Sequence, residues 1–229
     1  MNRFHKRGLF SSMFTNRLQI CRLPVLMASG ITATVVFWGV RFSSGDGGPP
    51  KSGEDLVPKS CLVLPVRSYQ QTTSYTCGPA SLITLLRYYD RDGDELGIAR
   101  EAGCSPAKGT SPTAMADWLK SHDFDVDWGE SGSLKLLRDN LKKGIPTLVE
   151  WIDWGGHWVL VVGYDTRGTE TERDDLVIFA DPADSLDGKP DGLTSFNARR
   201  FESMWFDAFL FDRPMHKIQI TATPKSGKD

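Results

Sequence analysis

An α+β fold, with an N-terminal helical layer packed on an antiparallel β-sheet, is predicted by two features of the sequence. Between residues 77 and 144 apolar side chains recur at helical spacing: Leu82, Leu85, Leu86 and Tyr89, then Leu96, Ala99 and Ala102, then Met115, Trp118 and Leu119, then Leu134, Leu137 and Leu141. Beyond residue 144 the pattern changes to short runs rich in β-branched residues, at 145–152, 158–164, 176–180 and 218–222, separated by turn residues. With 229 residues and 40% hydrophobic content, the chain can build one core of about 160 residues plus an appendage.

The appendage comes first. Residues 1–22 form a basic segment with Arg3, Lys6, Arg7, Arg17 and Arg22 and no acid. Residues 23–40 carry no charge, and Trp38 and Arg41 suit a bilayer edge, so a membrane anchor or signal sequence is expected there. An uncleaved anchor would leave the N-terminus in the cytosol and the folded domain outside, in a single pass; cleavage would release a secreted or periplasmic domain. Residues 41–60, rich in Gly, Ser and Pro, read as a flexible linker, 61–222 as the folded domain and 223–229 as a tail. No phosphate-binding loop occurs, so no ATP-binding domain is expected in this chain. The net charge of −2 and the lack of a basic block in the folded part argue against nucleic acid as a partner.

Within the domain, Leu62 to Val66 reads as a short strand broken by Pro65. Pro79 fits the first position of a helix, because its missing N–H costs nothing there. Asp90 to Glu101 matches a calcium loop at several ligand positions but has Glu95 where the turn needs glycine, which favours an acidic turn with a helix opened by Asp94. Thr110-Ser111-Pro112 caps the next helix; Phe124, Val126 and Trp128 alternate as a strand. A helix over Leu134 to Leu141 ends at Gly144. Residues 165–175 are charged and read as an exposed hairpin tip, and Phe196 to Phe209 as a helix leading to a strand.

The chemistry gathers at Gln71-Thr-Thr-Ser-Tyr-Thr-Cys77-Gly78-Pro79-Ala80. A cysteine at a helix N-terminus meets unpaired N–H groups and the positive end of the helix dipole, which favour thiolate and make a nucleophile. Gly78 leaves the approach to the sulfur open. Of the histidines in the domain, His122 reads as a helix cap and His216 as a surface residue, while His157 opens a buried strand behind Gly155 and Gly156. A hairpin from that strand to 176–180 would return Asp181 to His157, where a carboxylate can hold the imidazole's tautomer. Gly156, Trp158 and Trp154 are the expected substrate-binding neighbours, with Trp151 open between groove wall and core. Cys61 and Cys104 could pair as a disulfide in an oxidising compartment. No metal site and no cofactor are expected.

Together these residues resemble the bacteriocin-processing, double-glycine leader peptidase family of papain-like cysteine peptidases, over roughly Leu62 to Thr221. The resemblance implies a papain-like fold in which Gln71 supplies an oxyanion donor, Cys77 attacks, His157 is base and then acid, and Asp181 orients it. It implies a peptide or protein substrate, cut after a Gly-Gly type pair. Gln70, adjacent to Gln71, leaves the oxyanion residue open by one position. A papain-like amidase or transpeptidase, and a non-catalytic peptide-binding module tethered to the membrane, are the alternatives.

Overall fold

The computed structural model describes residues 60–184, 189, 191–207, 211 and 213–226. Seven strands and five helices follow in the order β1 (Cys61–Val63), α1 (Cys77–Tyr88), α2 (Glu95–Glu101), α3 (Pro112–Ser121), β2 (Phe124–Gly129), α4 (Leu134–Lys142), β3 (Thr147–Trp151), β4 (His157–Asp165), β5 (Leu176–Ala180), β6 (Leu193–Asn197), α5 (Ala198–Met204) and β7 (Gln219–Pro224). The sheet is antiparallel throughout, in the order β2-β7-β3-β4-β5-β6, with β1 also paired to β4. The α+β prediction therefore holds, and helices cover the sheet as expected.

Both faces of the sheet are buried, which explains why β4 reads as a continuous apolar run. On one face Leu148, Trp158, Leu160 and Val162 meet Leu82, Leu85 and Leu86 of α1 and Met115 and Leu119 of α3. On the other, Val149, Trp151, Val159 and Val161 meet Leu137 and Leu141 of α4 and Phe201 of α5. The helix starts follow the capping chemistry: Asp94, Ser111, Ser133 and Asn197 each accept a backbone N–H of the first turn. The Asp94 cap opens α2, so residues 90–101 form a turn and a helix rather than a cation loop.

Several expectations change. α1 begins at Cys77, two residues earlier than Pro79 suggests; Pro79 still lies among the four leading positions whose N–H has no helical partner. Phe196 belongs to a strand, β6, rather than to a helix. The charged segment 165–175 is not free at its end, because buried Asp175 accepts the Tyr164 hydroxyl at 2.7 Å. Cys104 is a free thiol, so it does not pair with Cys61, which is itself disulfide-bonded.

The membrane anchor, and with it the single-pass topology and the membrane as a partner, is corrected: no helix among the described residues is long and apolar enough to cross a membrane. The longest described helix, α1, has 12 residues. It would reach about 18 Å against a hydrocarbon core of about 30 Å. Residues 23–40, on which that expectation rested, lie outside the described residues.

Candidate active site

Three elements bring the site together. α1 lies across β4, held by the Ser81 hydroxyl donating to the Trp158 carbonyl at 3.0 Å, and this sets Cys77, the first residue of the helix, against the start of β4. His157 is the first residue of that strand. β5 pairs with β4 and ends at Ala180, so the next residue, Asp181, comes back to the imidazole.

The His157 Nε2 and Asp181 Oδ1 are 2.9 Å apart, and the residues are 3% and 1% exposed. Cys77 lies near enough to the same imidazole to raise its pKa. With Nε2 committed to Asp181, the ring nitrogen left for sulfur is Nδ1. Burial pulls the His157 pKa down, but the Asp181 hydrogen bond, the neighbouring Cys77 side chain and the negative charge of both groups outweigh it and push it up to about 9. Burial likewise raises Asp181, and the imidazole and the N–H groups of Ala183 and Asp184 outweigh it, holding the carboxyl below its ordinary range. The result is a sulfur, an imidazole and a carboxylate in series, an arrangement able to pass a proton between thiol and ring.

The loop ahead of Cys77 is fastened to the Asp181 segment. The Gln71 N–H donates to the Pro182 carbonyl at 2.9 Å, and the Gln70 side-chain amide donates to the Asp181 carbonyl at 2.9 Å. Gln70 is exposed, so its amide is used in bracing the loop. The Gln71 Nε2 donates to the Thr73 carbonyl at 2.7 Å, while its buried Oε1 has no hydrogen-bond partner among the described residues. One of the two Gln71 amide hydrogens is thus uncommitted.

The neighbours expected to bind substrate divide. Gly156 has a φ of 145° and Gly155 a φ of 91°, backbone that L side chains rarely adopt, and a side chain on Gly155 would meet nothing within 4 Å. The glycine pair therefore turns the chain into His157. Gly78 lies inside the packing: a Cβ there would meet the Thr110 hydroxyl at 3.1 Å and the Met115 sulfur at 3.2 Å. Trp158 is 2% exposed and donates to the Thr110 carbonyl at 3.0 Å, within the core beneath α1. Trp151 is a core residue packed against Phe179, Phe196 and Phe201. Trp154 sits in the 3-10 turn Asp153–Gly155, and its side chain lies outside what the structure describes. His122 is the C-cap of α3, stacked on Trp118 at 3.8 Å, and His216 is exposed.

Two buried acids near the site carry no sequence motif. Glu95, 3% exposed, accepts from the Tyr69 hydroxyl, the Thr72 N–H and the Thr76 hydroxyl. Glu150 on β3 is 1% exposed, and neither carboxyl oxygen has a hydrogen-bond partner among the described residues. Burial, then the charges of Asp207 and Cys77, push it up to about 9 against the opposing pull of His157. Only the place of Glu150 inside an otherwise apolar run hinted that it was buried; Glu95 had only its place one residue after a helix cap.

Comparison with known proteins agrees with this architecture. The peptidase domain of Streptococcus ComA, a bi-functional ABC transporter involved in a quorum sensing pathway, has a TM-score of 0.51 at 19% identity, covering 72% of this chain and 99% of that one. A Bacillus anthracis protein described as a C39-like peptidase has a TM-score of 0.53 at 15% identity, covering 73% and 99%. At such identities the likeness speaks for the fold alone. No curated protein matches the chain. Residues 63–207 match the model of the Peptidase_C39 like family, and the chain belongs to that family.

Proposed function

We propose that the protein is a cysteine peptidase that hydrolyses peptide bonds by acyl transfer through Cys77. The observation that carries this reading is the series from Cys77 through His157 to Asp181, closed at 2.9 Å on the carboxylate side. In the mechanism, the Cys77 thiolate attacks the substrate carbonyl carbon, and the oxygen's negative charge is received by the Cys77 N–H and the Gln71 amide. His157, held as an imidazolium by Asp181, gives its proton to the leaving amine, and the amine departs as the thioester forms. The ring, now neutral, takes a proton from water as the water attacks the thioester, which releases the acid and restores the thiolate–imidazolium pair.

Membership of the family supports a peptide substrate. Cleavage after a Gly-Gly type pair is the specific form we propose: the Cys77 residue is 8% exposed, and a chain lacking side chains at the scissile bond reaches such a sulfur most easily. A second reading, the non-catalytic peptide-binding module, is favoured by one observation, the turning of the Gln71 amide nitrogen onto the Thr73 carbonyl. Labelling with iodoacetamide at low concentration separates the two. A peptidase gives selective alkylation of Cys77 over Cys104 that is lost in His157→Ala; a binding module gives no selectivity. An amidase or transpeptidase would use the same thioester, and an added amine acceptor appearing in the acyl product identifies it.

A further inference from the structure

Between Tyr69 and Cys77 the loop has few ties of its own to the helices, and one side chain supplies most of them. Glu95 Oε1 accepts the Thr72 N–H at 2.9 Å and the Thr76 hydroxyl, and Glu95 Oε2 accepts the Tyr69 hydroxyl at 3.0 Å. The three donors bracket Gln71 on both sides and end at the residue before Cys77. No ion pair to Glu95 occurs among the described residues, so neutral donors of this one loop are what hold it. Burial pushes the carboxyl up, yet the Thr76, Thr72 and Tyr69 donors outweigh it and keep the group below its ordinary range, so it remains an acceptor at neutral pH.

We propose that Glu95 is a positioning residue for acyl transfer, fixing the spacing between the Gln71 amide and the Cys77 N–H so that both face one oxyanion. The proposal rests on the reading of Cys77 as nucleophile and Gln71 as oxyanion donor. The Gln71 end of the loop is separately anchored through Pro182, so loss of Glu95 frees mainly the stretch from Thr72 to Thr76 that joins the two donors. A glutamine at 95 keeps an oxygen for Thr72 and Thr76 and can donate its amide to the Tyr69 oxygen, whereas an alanine keeps nothing.

The test uses the full chain and three readouts: turnover of a peptide cleaved by the wild type, inhibition by the corresponding peptide aldehyde, and alkylation of Cys77 by iodoacetamide. The aldehyde's hemithioacetal oxygen needs the oxyanion donors; alkylation does not. Glu95→Ala is expected to lower kcat and aldehyde affinity each about 100-fold, with KM and alkylation within about threefold of wild type. Glu95→Gln is expected to return both to within about tenfold. If Glu95→Ala does not fold, Thr76→Val carries the test, with about a tenfold loss of aldehyde affinity at unchanged alkylation. Unchanged aldehyde affinity in the folded variants, or parallel loss of alkylation and aldehyde binding, overturns the positioning role. A wild type that neither binds the aldehyde nor is alkylated at Cys77 removes the nucleophile reading itself, and the positioning role goes with it.

Discussion

At Asp181 the carboxylate has two duties that pull the same way. It accepts from His157 and, at 2.8 Å, from the Ala183 N–H, so its position is held from two sides. Its hydrogen bond, together with Cys77 and the charge of both groups, is what keeps the buried imidazole protonated. Stability tied to that imidazolium is therefore fully present below about pH 6.5 and is lost as the pH rises through about 9. Asp181 contributes in the opposite direction: its share is present above the ordinary aspartate value and is lost as the pH falls through its depressed one. Since leaving-amine protonation needs the imidazolium, kcat/KM for peptide cleavage is expected to fall on the alkaline side with a midpoint near 9. Asp181→Asn should move that midpoint down toward the ordinary histidine value of about 6.5 and lower the rate at pH 8 about 10- to 100-fold. A pH–rate profile of both proteins checks this; an unchanged midpoint in the variant would contradict it.

At the scale of elements, β3 poses the question of why an apolar strand carries an acid. Glu150 lies directly opposite Trp158, with no hydrogen-bond partner for either carboxyl oxygen among the described residues, and burial keeps it neutral up to about pH 9. The folded chain then holds a proton that the unfolded chain releases above about 4.5, so the fold loses stability as the pH rises from about 4.5 through 9. Glu150→Gln cannot titrate. Its unfolding free energy is expected to gain on the wild type as the pH rises from 5 to 8, by up to about 1.4 kcal/mol per pH unit, and a pH-independent difference would contradict the assignment.

The elements also show what the sequence could and could not convey. The 145–152 and 176–180 runs and the histidine strand were legible because β-branched apolar residues buried on both faces leave few other solutions, and the return of Asp181 to His157 followed from a hairpin between adjacent strands. Phe196 was misplaced because its strand is short and edge-lying and runs straight into α5, so its apolar spacing merges with that of Phe201. Glu95 was illegible for a different reason: its partners lie 19 to 26 residues away in a loop with no periodicity. Gly78 and Trp158 looked like groove residues because they adjoin Cys77 and His157 in the chain, but Gly78 packs against Thr110 and Met115, and Trp158 is buried beneath α1 with its indole N–H spent on the Thr110 carbonyl.

For the whole molecule, the last strand is not the outermost. β7 lies between β2 and β3, with Ile220 and Ala222 buried, so β2 joins the rest of the sheet only through the C-terminal segment. Removal of residues 219–229 is expected to abolish the cooperative thermal transition, whereas removal of 227–229 alone leaves it; calorimetry distinguishes them, and a cooperative transition in the shorter chain would contradict the topology's importance. The site straddles this architecture, with its sulfur on the helical layer and its imidazole and carboxylate on the sheet. A substrate of the proposed reaction would therefore have to reach the junction of the two layers, where α1 and β4 begin. Digestion of a peptide library by the full chain, with Cys77→Ala in parallel, tests this most directly: cleavage by the wild type that disappears in the variant is the predicted result, and no cleavage by either, or equal cleavage by both, would contradict it.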